Sequence, residues 1–317
     1  MKKHLSLPAL LLLAVVFSTL LLLPAGSPAE AASPSGTVVT SFYPVWILTR
    51  NLLDGAGDIA VRNLAAPSVG CLHDYQLQPA DMKVLSGADA LLVNGAGMEA
   101  FLPEITRSFP DLPVIEASAG IELLKEGDAL QIGDAEEEAV NSHIWLDPLK
   151  AVQMAENLAA GLSSLFPEQE ERILANLDAC RERLTRLDLQ LREGLKDLPR
   201  REIVTFHEAF PYFAAAYDLH VVAVVNKEPG EVLTPAQMGR LALEIGRLGN
   251  PPLFVEPQYA DLSAQTLSRE TGSAVYSLDP VVTGPEKDVP LDYYETVMLE
   301  NMQVLITALS SGQPEAR

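Results

Sequence analysis

Histidine is scarce in this chain, with five residues in 317, so each one can be weighed on its own. Basic side chains are also few, 22 Lys and Arg against 43 Asp and Glu, giving a formal net charge of −21. That balance makes nucleic acid and anionic lipid poor partners and favours metal cations and basic protein surfaces. Only two cysteines occur, Cys71 and Cys180, and their spacing does not decide whether they pair. Beyond the N-terminal region no segment is long and apolar enough to span a bilayer, which takes about 20 residues. No Gly/Ser-rich linker interrupts the chain, which argues against freely hinged domains. Two catalytic signatures, the HExxH helix and the Gly-x-Ser-x-Gly turn, are missing as well.

The N-terminal region is the one strongly apolar stretch. Lys2 and Lys3 precede a run from Ala9 to Leu23 broken only by Ser18 and Thr19, and Ala29-Glu30-Ala31 offers a small-residue cleavage site. Residues 1–31 are therefore expected to be a cleavable secretory signal peptide. An uncleaved anchor is the alternative, for which the run is short. No Cys follows the run, so a lipid anchor is not expected at this point, and the product is expected in the periplasm.

Eight β-rich runs follow, most leading into a helical pattern. Four lie in the first half, starting near Thr37, Asp58, Ala88 and Leu112, and four in the second, starting near Glu202, His220, Pro252 and Ser273. Such alternation predicts α/β architecture with parallel sheets, hence two (β/α)4-like lobes at 36–165 and 200–312. Between them, segment 166–199 carries apolar residues Ile173, Leu177, Cys180, Leu184, Leu187, Leu191, Leu195 and Leu198 in steps of three and four. This predicts one backbone helix from Pro167 to Leu198, a rod of roughly 48 Å that braces both lobes. Cys180 falls on its apolar stripe and reads as a buried small hydrophobe, with a bond to Cys71 as the alternative.

Once His4 leaves with the signal peptide, His73, His143, His207 and His220 remain. His73 stands in the loop after the second strand. His143 precedes Asp147-Pro148, which reads as a helix N-cap followed by Pro at the first helical position. His207 closes the strand IVTFH. All three fall at strand ends or on loops entering helices, where open α/β sheets bind ligands. His220 opens a strand and reads as structural. Three imidazoles leave a cation in need of one more donor, and Asp279, at the end of the last strand in SLDP, suits that place. Donors so distant in sequence can meet only in a cleft between lobes, two from each half.

With TSFYPVWIL, HDYQLQPADMKVLSGADALLVNGAGMEAFL, HIWLDP, TFHEAFPYFAAAYDL, FVEPQYA and ETGSAVYSLDP in this order, the mature chain resembles the ZnuA-like group of metal solute-binding proteins. These are the exported zinc-binding components of bacterial zinc-uptake ABC transporters. The resemblance implies two α/β domains joined by a long backbone helix, a Zn2+ ion held between them by His73, His143 and His207, and delivery to an ABC permease by a monomer that is not an enzyme. Asp279 is the expected fourth ligand, with a water or Cys71 as the alternatives, and Glu256 is expected to order the cleft.

Two departures stand out. The loop ahead of His143 carries Asp128, Asp134, Glu136, Glu137 and Glu138 where many zinc-type members are His-rich, so zinc scavenging by that loop is not expected. Cys71-Leu72 replaces the usual pair before the first ligand, which would let Cys71 approach the metal. His207, where manganese-type members tend to place a carboxylate, favours zinc, leaving Mn2+ as the alternative cargo. An exported zinc hydrolase using Glu208 or Glu256 as a base is a weaker rival. The Gly95-Ala96-Gly97 turn with Ala100 and Glu116 matches a dinucleotide fingerprint, but it stands after the third strand and reads as an ordinary strand-to-helix turn.

Overall fold

Two parallel sheets lie on either side of one long helix. The computed structural model describes residues 35–72, 75–125, the backbone of 130–131, 140–225, 233–259 and 262–310. The first sheet contains β1 (Gly36–Thr40), β2 (Ile59–Asn63), β3 (Ala90–Val93) and β4 (Val114–Glu116) in the order β2-β1-β3-β4, every pair parallel. Its crossovers carry α1 (Tyr43–Leu52), α2 (Pro79–Leu85) and α3 (Leu102–Ser108). β3 is buried at all four residues, as expected of a central strand covered on both faces.

The second sheet has five strands where four are expected. β6 (Glu202–Thr205), β7 (His220–Val224), β8 (Leu253–Val255) and β9 (Val275–Ser277) occupy the expected runs. The two-residue β5 (Leu130–Gln131), from the segment ahead of His143, joins as an edge strand in the order β5-β7-β6-β8-β9. Helices α6 (Pro211–Ala216), α7 (Pro235–Arg247) and α8 (Leu262–Thr271) connect this sheet. In each sheet the strand order reverses beside the first strand of its half, β1 or β6. The carboxyl ends at such reversals are natural ligand sites.

Between the sheets run α4 (Pro148–Leu165) and α5 (Glu170–Leu195), and the described chain closes with α9 (Tyr293–Ser310). α5 is the expected rod, shortened at both ends. Pro167–Gln169 winds as a 3-10 turn and the helix stops at Leu195, so the rod is about 39 Å rather than 48 Å. Its stripe of Ile173, Leu177, Cys180, Leu184, Leu187, Leu191 and Leu195 is buried throughout. That stripe packs on α1, α4 and α9. On the side of the second sheet, Arg192 donates to Ala216 O at 2.8 Å and Tyr217 donates to Asp188 at 3.2 Å. Cys180 is 1% exposed and burial pushes its thiol up to about 11, so it behaves as the expected inert core residue. It forms no disulfide with Cys71.

One hydrophobic core runs continuously from the first sheet through α4 and α5 to Tyr212, Phe213 and Tyr217 of the second half, and on to Leu278, Val281 and Tyr294. A smaller core built on Val204, Leu241, Ile245 and Leu267 lies under the second sheet. No helix among the described residues is long and apolar enough to cross a membrane.

The glycine turn after β3 has a structural task. Gly95, Ala96 and Gly97 have φ of 79°, 51° and 81°, and a Cβ on Gly95 would stand 2.2 Å from a Glu116 carboxylate oxygen. The N–H groups of Asn94 and Gly95 both donate to buried Glu99, at 2.7 and 3.0 Å. Those donors are committed to a carboxylate of the chain itself, which rules against the dinucleotide reading.

Because α5 unites the core, replacing Leu191, which is fully buried, with Ala is expected to cost about 2–5 kcal/mol. Calorimetry should record one lowered transition. Two separated transitions would show that the halves unfold independently.

Candidate metal centre

His143 and His207 meet in the cleft. His207 follows β6 in the turn before α6, and His143 caps a 3-10 turn (Ile144–Leu146) that leads to α4. Asp147 is the expected N-cap of α4: its carboxylate accepts the Leu149 N–H at 2.8 Å, and Pro148 takes the first helical position. Both imidazoles are buried, and their Nε2 atoms stand 3.1 Å apart. The rings lie at 77° with centroids 4.9 Å apart. Cys71, after β2, places its Sγ 3.5 Å from His143 Nε2. One ligand atom from each of Cys71, His143 and His207 lies within 4.8 Å of the other two.

The orientation of His143 is set by Asn141. Its Oδ1 accepts the His143 backbone N–H at 3.0 Å and faces Nδ1 at 3.3 Å. An amide oxygen can only accept, so Nδ1 carries the proton and the lone pair of Nε2 points into the cleft. The Asn141 amide also donates to Glu208 O at 2.7 Å, which ties the loop of His143 to that of His207. Tyr212 reinforces the tie, donating to Asn141 O and accepting the Leu124 N–H, both at 2.9 Å. Behind the loop, Asn94 donates to Ser142 O at 2.9 Å, and Asn94 is itself held by Glu99. Burial raises the Glu99 carboxyl above its ordinary range.

Asp279 does not end the last strand: β9 stops at Ser277, and Asp279 lies two residues further on, in the turn that leads to Val281, outside the group of three close donors. Asn301 clamps its backbone, accepting the N–H at 2.9 Å and donating to its carbonyl at 2.7 Å. One carboxylate oxygen accepts the Val281 N–H at 2.7 Å, and Val281 is held at a φ of 62°. Trp145 donates to Pro280 O at 2.7 Å, so the turn of His143 also holds the segment after β9 that carries Asp279. Burial raises the Asp279 carboxyl. Glu256, after β8, is pushed up to about 8, first by burial and then by the charge of Asp279. Its Oε1 is buried without a hydrogen-bond partner among the described residues, while Oε2 accepts from Gln258.

His73 lies outside the described residues, as do Asp128, Asp134 and Glu136 to Glu138 of the acidic loop. His220 is exposed at the start of β7, outside the group of close donors. The supporting residues Asn141, Asn94, Glu99, Trp145 and Asn301 are absent from the sequence expectation. The one signal that could have found some of them is polarity inside apolar runs, as in LLVN before Gly95 and Glu99 before Ala100.

Two imidazole nitrogens and a sulfur, buried and convergent, suit a borderline divalent ion. In a tetrahedral zinc site with bonds of about 2.0–2.1 Å to nitrogen and 2.3 Å to sulfur, ligand atoms stand about 3.3 Å apart for N and N and about 3.6 Å for N and S. The observed separations of 3.1 and 3.5 Å fit those edges.

A family model described as ZnuA, zinc-uptake complex component A periplasmic, matches residues 38–308. The chain is 27% identical to the zinc-binding protein AdcA of Streptococcus pyogenes over 84% of its own length, spanning 55% of that relative. It is 26% identical to the high-affinity zinc uptake system protein ZnuA of Bacillus subtilis, covering 86% of this chain and 87% of that one. Among solved structures, Zn(II)-bound AdcA from Streptococcus pneumoniae superposes with a TM-score of 0.74 at 25% identity, covering 88% of this chain and 59% of the other. The solute-binding protein FpvC of Pseudomonas aeruginosa in complex with Mn2+ gives 0.76 at 25% identity, covering 86% and 98%.

Asn141→Ala removes the acceptor that orients His143 and the bridge to Glu208. Affinity for a divalent ion is expected to fall by about 10–100-fold, as for other groups that hold a metal-binding imidazole. A competition titration against a chelating indicator reads this, and an unchanged affinity would show that packing alone orients the ring.

Proposed function

Because the chain belongs to the zinc-uptake component A family, we propose that it is an extracytoplasmic solute-binding protein, capturing Zn2+ between its lobes and delivering it to an ABC permease. The single observation that carries this reading is the pair of buried Nε2 atoms 3.1 Å apart, one from each half of the chain. With Asn141 facing Nδ1 of His143, the short space between the two Nε2 atoms accommodates either a proton carried by His207 or a cation, and a divalent ion takes that place by bonding both nitrogens once the proton leaves. Zn2+ is the cargo that answers this arrangement.

In this reading His73, His143 and His207 are ligands and Asp279 is the available carboxylate. The lobes are 36–165 and 200–312, linked by 166–199. Zinc is preferred over Mn2+ because the close donors are nitrogen and sulfur, whereas manganese favours oxygen. The role is binding and delivery without catalysis. Residues 1–31 act as a cleavable export signal and the mature chain is a monomer in the periplasm. A relative in Streptococcus pneumoniae is named a zinc-binding lipoprotein, but the first Cys after the N-terminal apolar run of this chain is Cys71.

Loading and release follow from the packing. Opening the cleft wide would expose the continuous core at about 25 cal/mol per Å2 of apolar surface. It would also break the bonds from Asn141 to Glu208 and from Trp145 to Pro280. Small tilts and loop movements are therefore the expected route.

Calorimetric titration is expected to give one tight Zn2+ per mature chain. Replacing His73, His143 or His207 with Ala should weaken it by roughly tenfold or more, with His220→Ala near wild type. Equal losses at all four positions would contradict the assignment. Small-angle scattering on zinc-free and zinc-loaded protein should give matching radii of gyration. A change of several Å, roughly what wide hinge closure produces, would contradict restricted motion.

A further inference from the structure

The geometry points to Cys71 as a thiolate ligand of the bound metal, giving this chain a sulfur-containing site. This rests on the zinc-binding reading above and gives the fourth corner of that four-coordinate site to sulfur in place of the Asp279 carboxylate, which stands outside the group of close donors. His143 Nε2 has a single lone pair, yet it faces both Cys71 Sγ at 3.5 Å and His207 Nε2 at 3.1 Å. One lone pair cannot accept two well-formed hydrogen bonds, whereas one cation placed among the three atoms satisfies all of them. The two separations from His143 Nε2 match the nitrogen and sulfur edges of a tetrahedron, and the third pair closes to within 4.8 Å.

The loop is also built to bring the sulfur there. Gly70 has a φ of 87°, and a Cβ on it would stand 2.9 Å from the Tyr259 hydroxyl, which extends from beyond β8 in the other half of the chain. Only glycine lets the chain turn against Tyr259 at that point, and the next residue is Cys71. Cys71 is partly buried and packs against the main core, so it is held in place. On coordination the thiol proton passes to solvent and the sulfur lone pair forms the metal bond. A thiolate favours zinc over manganese, because softer ligands select against the harder ion.

Cobalt substitution tests this directly. Metal-free mature protein, titrated with Co2+ alone, is expected to show a near-ultraviolet sulfur-to-cobalt charge-transfer absorption. It should be lost in Cys71→Ser and kept in Cys180→Ala. In parallel, Zn2+ should protect the Cys71 thiol of the native protein from a thiol reagent. Cys71→Ser should lower Zn2+ affinity by roughly tenfold or more, a loss no smaller than that for groups that only orient a ligand, and should lower Mn2+ affinity by less. If Co2+ binds with its visible bands intact but without the near-ultraviolet absorption, or if the absorption survives Cys71→Ser, the thiolate assignment is overturned and the zinc-binding reading stands. Failure of the wild-type chain to bind Co2+ or Zn2+ would overturn both.

Discussion

Two imidazole nitrogens held 3.1 Å apart by opposite halves of the chain are the constraint on which the rest of the site depends. Side chains of this kind are ordinarily kept apart by solvation or separated by a shared proton. Here Asn141 fixes the proton of His143 on Nδ1 and, through Glu208 O, fixes the loop that carries His207. The pair is thus prepared for a cation before any arrives, and little reorganisation remains to oppose binding. Trp145 and Asn301 extend the same order to the segment after β9 that carries Asp279.

Such preparation requires halves that do not drift, and α5 supplies this. Its buried stripe and the continuous core mean that the lobes share one packed interior, so the cleft is a seam in a single body. Burial of Glu99, Glu256 and Asp279 raises all three carboxyls; Glu99 and Asp279 are fixed by backbone N–H donors, whereas among the described residues Glu256 is held only through Gln258. The cost of keeping polar groups in such a place is tolerated where they shape a site.

Much of this was legible in the sequence. Eight strands announced themselves as β-rich runs, and the α5 stripe read cleanly because seven buried residues follow helical spacing. β5 did not, since two residues carry no period and gain strand character only from β7. The rod came out shorter because Pro167–Gln169 winds as a 3-10 turn, a local choice invisible to apolar spacing. His143 and His207 were readable from position at strand ends and helix starts. Cys71 was readable only as a neighbour of His73, because its approach to His143 depends on the Gly70 turn and on Tyr259, far away in sequence. Asn141 and Asn301 left no trace, as loop amides obey no periodicity and their partners are set by tertiary packing.

The central claim is that a metal ion sits between the halves on the opposed histidines. A zinc-edge anomalous difference map from crystals of the zinc-loaded protein tests it most directly. The account predicts one strong peak about 2.0–2.1 Å from Nε2 of both His143 and His207. A strong peak elsewhere, with that pair unoccupied, would contradict it.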